Sequence, residues 1–417
     1  MRPIRPKISE SSVDGGQHSI YNPHFLRQRA RWIRDDLDPQ VARDGYDALH
    51  ADDVLKLDDF LRQLLASNIS LEDIRSSRVH IAVLEISGRG TRWPKRLIER
   101  SDALKAAWEG VHGSLQSMGF PLYEPGGRLY QICKPDDLSK EKLVAQWLKA
   151  PGALKLSPVK ALRSGDLGFK PGDWWINPLF AFREGIINSG EAESGIVADA
   201  AGAYAVVMTG NSEESCDRPD KIVYRARSSD KGRYRLTAGT PESRHPVRIL
   251  RSHTLRSFLA PEAGLRYDGL YKVTGWTIKM DAKDAKKKKM LYLISFMRLP
   301  NQVSIDEVLR RPRREEIEDY QEYKRLHELA RFKQATQAVS AQESTNPFIA
   351  ASIDGGVDSH GYGSFWGAWA DEEELISSAR RNALSNRDTA GLGPSGVATT
   401  ACTLQNDAGT RADSVAH

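Results

Sequence analysis

The sequence predicts an α+β protein: a mainly helical N-terminal domain, then a compact β-barrel, with disordered tails. Three observations carry this reading. Val54, Leu57, Leu61 and Leu64 recur at i, i+3, i+7 and i+10 and so share one helical stripe. From about Tyr204 the texture changes to short apolar or alternating runs bounded by turn residues, the pattern of strands in a compact barrel. Both ends are polar and lack periodicity, so they cannot bury enough surface to offset the entropy of ordering.

In chain order, residues 1–23 read as a disordered arm and residues 24–150 as the helical domain. Asp52 and Asp53 open the striped helix, where carboxylates meet the positive helix end. Ser70-Leu71-Glu72-Asp73 offers the next helix start. Val79–Ile86 is apolar enough for either a strand or a buried helix, and Leu104, Trp108, Val111 and Leu115 form a further stripe. Residues 151–167 mix Pro, Gly and Ser with apolar residues and read as a linker. Tyr204–Met208, Lys221–Tyr224, Val247–Leu250 and Leu291–Phe296 are the expected strands. Ser304 and Glu307 form a capping-box pattern at the head of a charged helix over 303–341. Residues 342–417 read as a disordered tail. Within it, Phe365, Trp366 and Trp369 beside a run of acids make a candidate peptide for a partner protein.

Composition narrows the function classes. The 417 residues suggest two or three domains, and a net charge of +5 permits nucleic-acid binding without demanding it. Three cysteines are too few and too scattered for a disulfide framework or a zinc site. The start, Met1–Lys7, has no apolar leader segment and no apolar run approaches membrane length, so a soluble protein of the cytosol or nucleus is expected, with no membrane partner. His327-Glu328 begins like a metalloprotease helix but lacks the second histidine, so a surface helix is expected there. Gly361–Gly367 follows no strand, and no phosphate loop, nucleophile elbow or Cys-x-x-Cys pair is present. No enzyme, metal or cofactor is expected. Lys286–Lys289 and Arg310–Arg314 are basic clusters suited to nuclear import or phosphate contact, or simply to a solvated turn.

One stretch says more. Leu265-Arg266-Tyr267-Asp268-Gly269-Leu270-Tyr271-Lys272-Val273, preceded by Pro246–Arg251 and by Gly172-Asp173-Trp174-Trp175, resembles the SRA domain, also called YDG, over residues 168–302. It is similar to the SRA domain of UHRF-type ubiquitin ligases, without RING, PHD, SET or nuclease modules, as in fungal stand-alone YDG proteins. The resemblance implies a PUA-like β-barrel flanked by helices, and a non-catalytic reader of methylated cytosine in double-stranded DNA. It further implies chromatin proteins as partners and a nuclear location.

A flipped cytosine needs aromatic faces, an acceptor for its amine and backbone polar groups around its edge. By resemblance, Thr209, Gly210 and Asn211 match the backbone-contacting turn and Tyr224 the second stacking tyrosine. Ser212 stands where the first tyrosine is expected, and Ser215 where the cytosine-binding aspartate is expected; a one-residue loop adjustment would give that role to Glu214. The family's long basic loop is short here, and Arg225, Arg227, Lys231, Arg233 and Arg235 are the candidate phosphate contacts. Arg248, Arg251, Arg266 and Tyr267 are expected to build the barrel, with Asp268 bonding backbone amides, Gly269 supplying a turn and Trp174 and Trp175 in the core. The alternative is a protein-interaction scaffold whose degenerate barrel no longer flips bases.

Overall fold

The computed structural model describes residues 22–88, 92–152, 155–190, 195–214, 218–226, 230, 232–240, 244–280 and 290–345. Residues 1–21 of the expected arm and 346–417 of the expected tail, with Phe365, Trp366 and Trp369, lie outside the described residues, as do Ser215, Arg227, Lys231 and Lys286–Lys289. At the inner ends, Pro23 already opens a helix and residues 342–345 continue one, because each adjoins a helix that extends over it.

Helix α1 (Pro23–Arg31) starts where the Asn22 side chain accepts from the His24 amide at 2.9 Å. It passes through a π-helical stretch, Trp32–Leu37, into α2 (Asp38–Asp44). Helix α3 (Ala51–Leu65) buries Leu57, Phe60, Leu61 and Leu64, the face its periodicity predicts. Ser70 caps α4 (Leu71–Ser77) by accepting from the Asp73 amide. The ambiguous run forms helix α5 (Val79–Ile86), packed within the helical core. With helices for neighbours, only a helix pairs its backbone groups locally. In α6 (Lys95–His112) Leu104 and Trp108 are buried, but Val111 is 77% exposed and leaves the expected stripe. Helix α7 (Lys140–Lys149) buries Leu143 and Trp147.

The stretch that reads as a linker is held down. Leu156 and Ala161 are buried, and a short 3-10 turn spans Pro158–Leu162. Beyond it come β1 (Trp174–Trp175), α8 (Pro178–Glu184), β2 (Gly195–Ala198), β3 (Ala203–Met208), β4 (Lys221–Ala226), α9 (Arg233–Thr237), β5 (Val247–Ser252), β6 (Leu265–Met280) and β7 (Met290–Arg298). The strand order is β2-β3-β5-β6-β7-β4, with β1 on β6, and only the β3–β5 pair is parallel. This is a seven-stranded mixed sheet that does not close into the expected barrel, because among the described residues no ladder joins β2 to β4. The sheet nevertheless curls around one core, which takes Ile222 and Tyr224 from one edge and Ile196 from the other. Asp230 spans the two edges, accepting from the Tyr224 hydroxyl at 3.1 Å and from the Ile196 amide.

Helix α10 (Ile305–Leu309) follows Ser304, whose hydroxyl accepts from the Glu307 amide at 3.2 Å. Helix α11 (Arg314–Thr345) then bolts the helical region to the sheet. Its acids meet arginines of the helical region: Glu315 pairs with Arg31, Glu318 with Arg34 and Arg78, and Asp319 with Arg78 and Arg128. One turn on, Tyr320 meets His253 at 3.1 Å and Tyr323 accepts from Asn177 at 3.3 Å. His327 packs against Tyr323, so this part of α11 is not the surface helix its charge pattern suggests. Arg311 and Arg314 of the basic cluster are likewise turned inward, to Glu316 and to Asp38 and Glu85.

Candidate nucleic-acid interface

The chain leaves β3 in a tight turn. The Thr209 amide donates to the Ser212 hydroxyl at 2.9 Å, and the Ser212 amide donates back to the Thr209 carbonyl at 3.0 Å. Gly210 sits at φ +52°, a conformation that glycine adopts without strain, and Asn211 is exposed at the tip. Residues 212–214 then run beside β4. The Arg225 amide donates to the Ser212 carbonyl at 2.7 Å, and the Glu214 amide to the Val223 carbonyl at 2.9 Å. Glu213 thereby pairs with Tyr224 across the ladder. Thr209, Gly210, Asn211, Ser212, Glu214 and Tyr224 are thus brought together, although the tyrosine follows the others by ten to fifteen positions in the chain.

Three of their side chains are already engaged. Ser212 is buried with its hydroxyl spent inside the turn, so it offers no stacking face. Tyr224 is fully buried and donates to Asp230. Glu214 accepts from Arg225 at 2.5 and 3.1 Å, which joins the candidate amine acceptor to a candidate phosphate contact. This pair is about one-third exposed, and such pairs are worth only ~0–1 kcal/mol.

Beneath the turn lies a buried ionic chain. Glu213 accepts from Arg251 at 2.6 Å, Arg251 pairs with Asp268, and Asp268 accepts from Arg266 at 2.7 Å; all four side chains are at most 1% exposed. Burial pushes the Asp268 carboxyl up, but the guanidiniums of Arg266 and Arg251 outweigh it and hold it below the ordinary carboxylate range. Asp268 therefore binds two arginines, not the backbone amides expected of it. The cause is a β-bulge: Ile249 faces Gly269 while Leu250 faces Tyr267, and Asp268 is the extra residue. Gly269 serves that bulge at φ +114° inside β6, not a turn, and a Cβ there would stand 2.6 Å from the Gln302 amide oxygen. Arg248 is buried too, donating to the carbonyls of Arg163 and Gly165 at 2.7 Å and of Ala161 at 2.5 Å. Burial pulls its guanidinium down to about 10, which nearby Tyr267 and Asp166 oppose without outweighing. Tyr267, Trp174 and Trp175 are in the core.

The described part of the short basic loop carries α9, and the carbonyls of Thr237 and of Ala238 and Gly239 just beyond it accept from buried Arg244. Arg233 lies over the rings of Tyr234 and Tyr292 at 4.4 and 5.0 Å. Arg235 is exposed on α9, and Arg225 is the Glu214 partner. Sequence reasoning missed Asp230, Arg244 and the burial of Glu213. Only the Ser228-Ser229-Asp230-Lys231-Gly232 turn pattern hints at the first.

These features define a seven-stranded mixed sheet in which the turn after β3 is seated on a buried arginine–carboxylate chain. Residues 164–302 match the family model of the SAD/SRA domain. Among similar solved structures are the SUVH5 SRA domain with hemi-methylated CG DNA (20% identity over 33% of this chain and 93% of that one, TM-score 0.27) and KRYPTONITE with mCHH DNA, an H3(1–15) peptide and SAH (18%, 40% and 39%, TM-score 0.32). A modification-dependent restriction endonuclease, TagI, is a third (19%, 33% and 52%, TM-score 0.27). The match thus spans nearly all of the SUVH5 domain but well under half of the KRYPTONITE chain. No curated protein matches the chain. Among the described residues, no helix is long and apolar enough to cross a membrane.

Proposed function

We propose that this chain reads methylated cytosine in double-stranded DNA, without catalysing a reaction, as a chromatin-associated protein of the nucleus. The observation that carries the reading is the Thr209–Glu214 turn, closed on itself and paired to β4 so that Glu213 lies beside Tyr224. In this mechanism the flipped base stacks on Tyr224 and displaces its hydrogen bond to Asp230. Such a bond is worth ~0.5–1.5 kcal/mol net and base–aromatic stacking ~1–3 kcal/mol, so stacking wins. A phosphate draws Arg225 from Glu214, since their exposed pair is weak. Glu214 is then free to accept from the cytosine amine, while Arg235, with Arg227, Lys231 and Arg233, adds phosphate contacts.

The test is affinity of the whole chain for matched fully methylated, hemi-methylated and unmethylated duplexes. Tyr224→Ala should cut the methyl preference by ~1–3 kcal/mol while Tyr224→Phe preserves it. Equal affinity for all three duplexes would sink the reading. The burial of Tyr224 and the spent Ser212 hydroxyl favour a second reading, a scaffold that binds proteins and no longer flips bases. It requires equal affinities. In either reading the segment with Phe365, Trp366 and Trp369 is proposed to dock on a partner protein.

A further inference from the structure

Base flipping leaves a hole in the duplex, and some side chain must occupy it or the neighbouring bases collapse together. The described part of the basic loop forms α9, with Arg244 bound to the carbonyls at its end. We propose that Phe258, on the loop joining β5 to β6, is the wedge that enters the duplex beside the flipped base. The proposal rests on the base-flipping reading and adds a residue to it.

Phe258 is 98% exposed. A single apolar residue on a surface is ordinary; its mounting and its position set this one apart. The loop touches the pocket turn directly, through the Arg256 amide donating to the Gly210 carbonyl at 2.7 Å. Phe258 is therefore two residues from the rim that also carries Asn211. The loop is also held on both flanks. Leu255 is buried in the sheet core, and the Leu255 amide donates to Ser252 at 3.1 Å. The Leu259 carbonyl accepts from Arg266, the same guanidinium that completes the buried ionic chain under the pocket turn. Further along, the Ala263 carbonyl accepts from the Trp174 indole at 2.6 Å. At Gly264, φ is +68° and a Cβ would stand 2.2 Å from the Trp175 carbonyl, so the backbone there is close-packed.

A phenyl ring on a braced loop loses little freedom on binding, which favours its use as an anchor. Apolar wedges of this kind part base steps and stack on the exposed faces. Exposed Arg256, two residues away, is placed for the adjoining phosphate. A water-facing phenyl gains from entering a base stack, and the cationic neighbour suits a polyanion better than an apolar protein face.

The decisive probe is a duplex with one abasic site, which presents the hole without any base to capture. The whole chain should bind it more tightly than the intact unmethylated duplex. Phe258→Ala should weaken that binding, and binding to the methylated duplex, about 5- to 150-fold. Phe258→Trp should restore both. Because the ring is solvent-exposed, the urea midpoint of Phe258→Ala should equal that of the parent, which separates loss of the wedge from loss of the fold. If the parent prefers methylated DNA but Phe258→Ala binds both probes as tightly, the wedge is wrong and the base-flipping reading stands. If the parent shows neither methyl preference nor preference for the abasic duplex, both fall. Loss of self-association in Phe258→Ala, with DNA binding intact, would make the ring a protein contact and overturn the proposal.

Discussion

Glu213 and Glu214 are adjacent acids in different surroundings. Glu213 is taken out of water and held by Arg251, while Glu214 stays a third exposed on Arg225. Removing one partner of a buried pair leaves an uncompensated charge and costs ~3–5 kcal/mol. Arg251 keeps Asp268 as a partner, so Glu213→Gln should cost about 3 kcal/mol, the low end of that range. Glu214→Gln should change stability by less than about 1 kcal/mol and act on DNA binding instead. Urea unfolding of the two variants checks this, and equal midpoints would refute it. From sequence alone Glu213 looks like the idle member of an acidic run. Its importance comes from Arg251, 38 residues away, and no local pattern encodes that distance.

Strand β5 is buried along its whole length, yet it carries two arginines. Arg251 is neutralised by acids, whereas Arg248 relies on carbonyls of the segment before the domain. That segment is thus part of the sheet's polar bookkeeping. A fragment of residues 165–302 lacks the Ala161 and Arg163 acceptors, and each missing partner of a buried group costs ~1–3 kcal/mol, more when the group is charged. It should therefore be less stable than residues 155–302 by at least about 2 kcal/mol in urea. Indistinguishable midpoints would show that Arg248 finds other partners. In β6, the alternation of Tyr267 and Tyr271 announces a strand, but the bulge at Asp268 does not announce itself. Gly269 signals special backbone in either case, and a turn and a bulge both use it.

Across the whole molecule, two buried histidines report on folding. Burial holds His80, in α5, and His327, in α11, at about 4, below the ordinary 6.5. As pH falls below 6.5 the unfolded chain takes up protons that the folded chain refuses until about pH 4. Stability is therefore intact above 6.5 and is lost progressively down to about 4. Between pH 7 and pH 5 each histidine should remove roughly 2 kcal/mol. Urea unfolding at both pH values tests this: an unchanged stability would mean the imidazoles are hydrated. His327→Leu should remove about half the pH dependence.

The sequence by itself determined what is local. The stripe of α3, the Ser70 and Ser304 caps, the strands on either side of the Tyr267-Asp268-Gly269 signature and the resemblance of residues 168–302 to the SRA domain are all carried by short-range spacing. Tertiary structure alone decided the partners of the charges. Arg78 meets Asp319 across 241 residues, Arg251 meets Glu213 and Asp268, and the candidate pocket acid meets Arg225. Among the described residues it also left β2 and β4 without a joining ladder and placed α9 within the basic stretch. The reason is physical. Periodicity follows from backbone geometry within a few residues, whereas a buried charge is tolerable only where an opposite charge or a set of dipoles arrives from elsewhere in the chain.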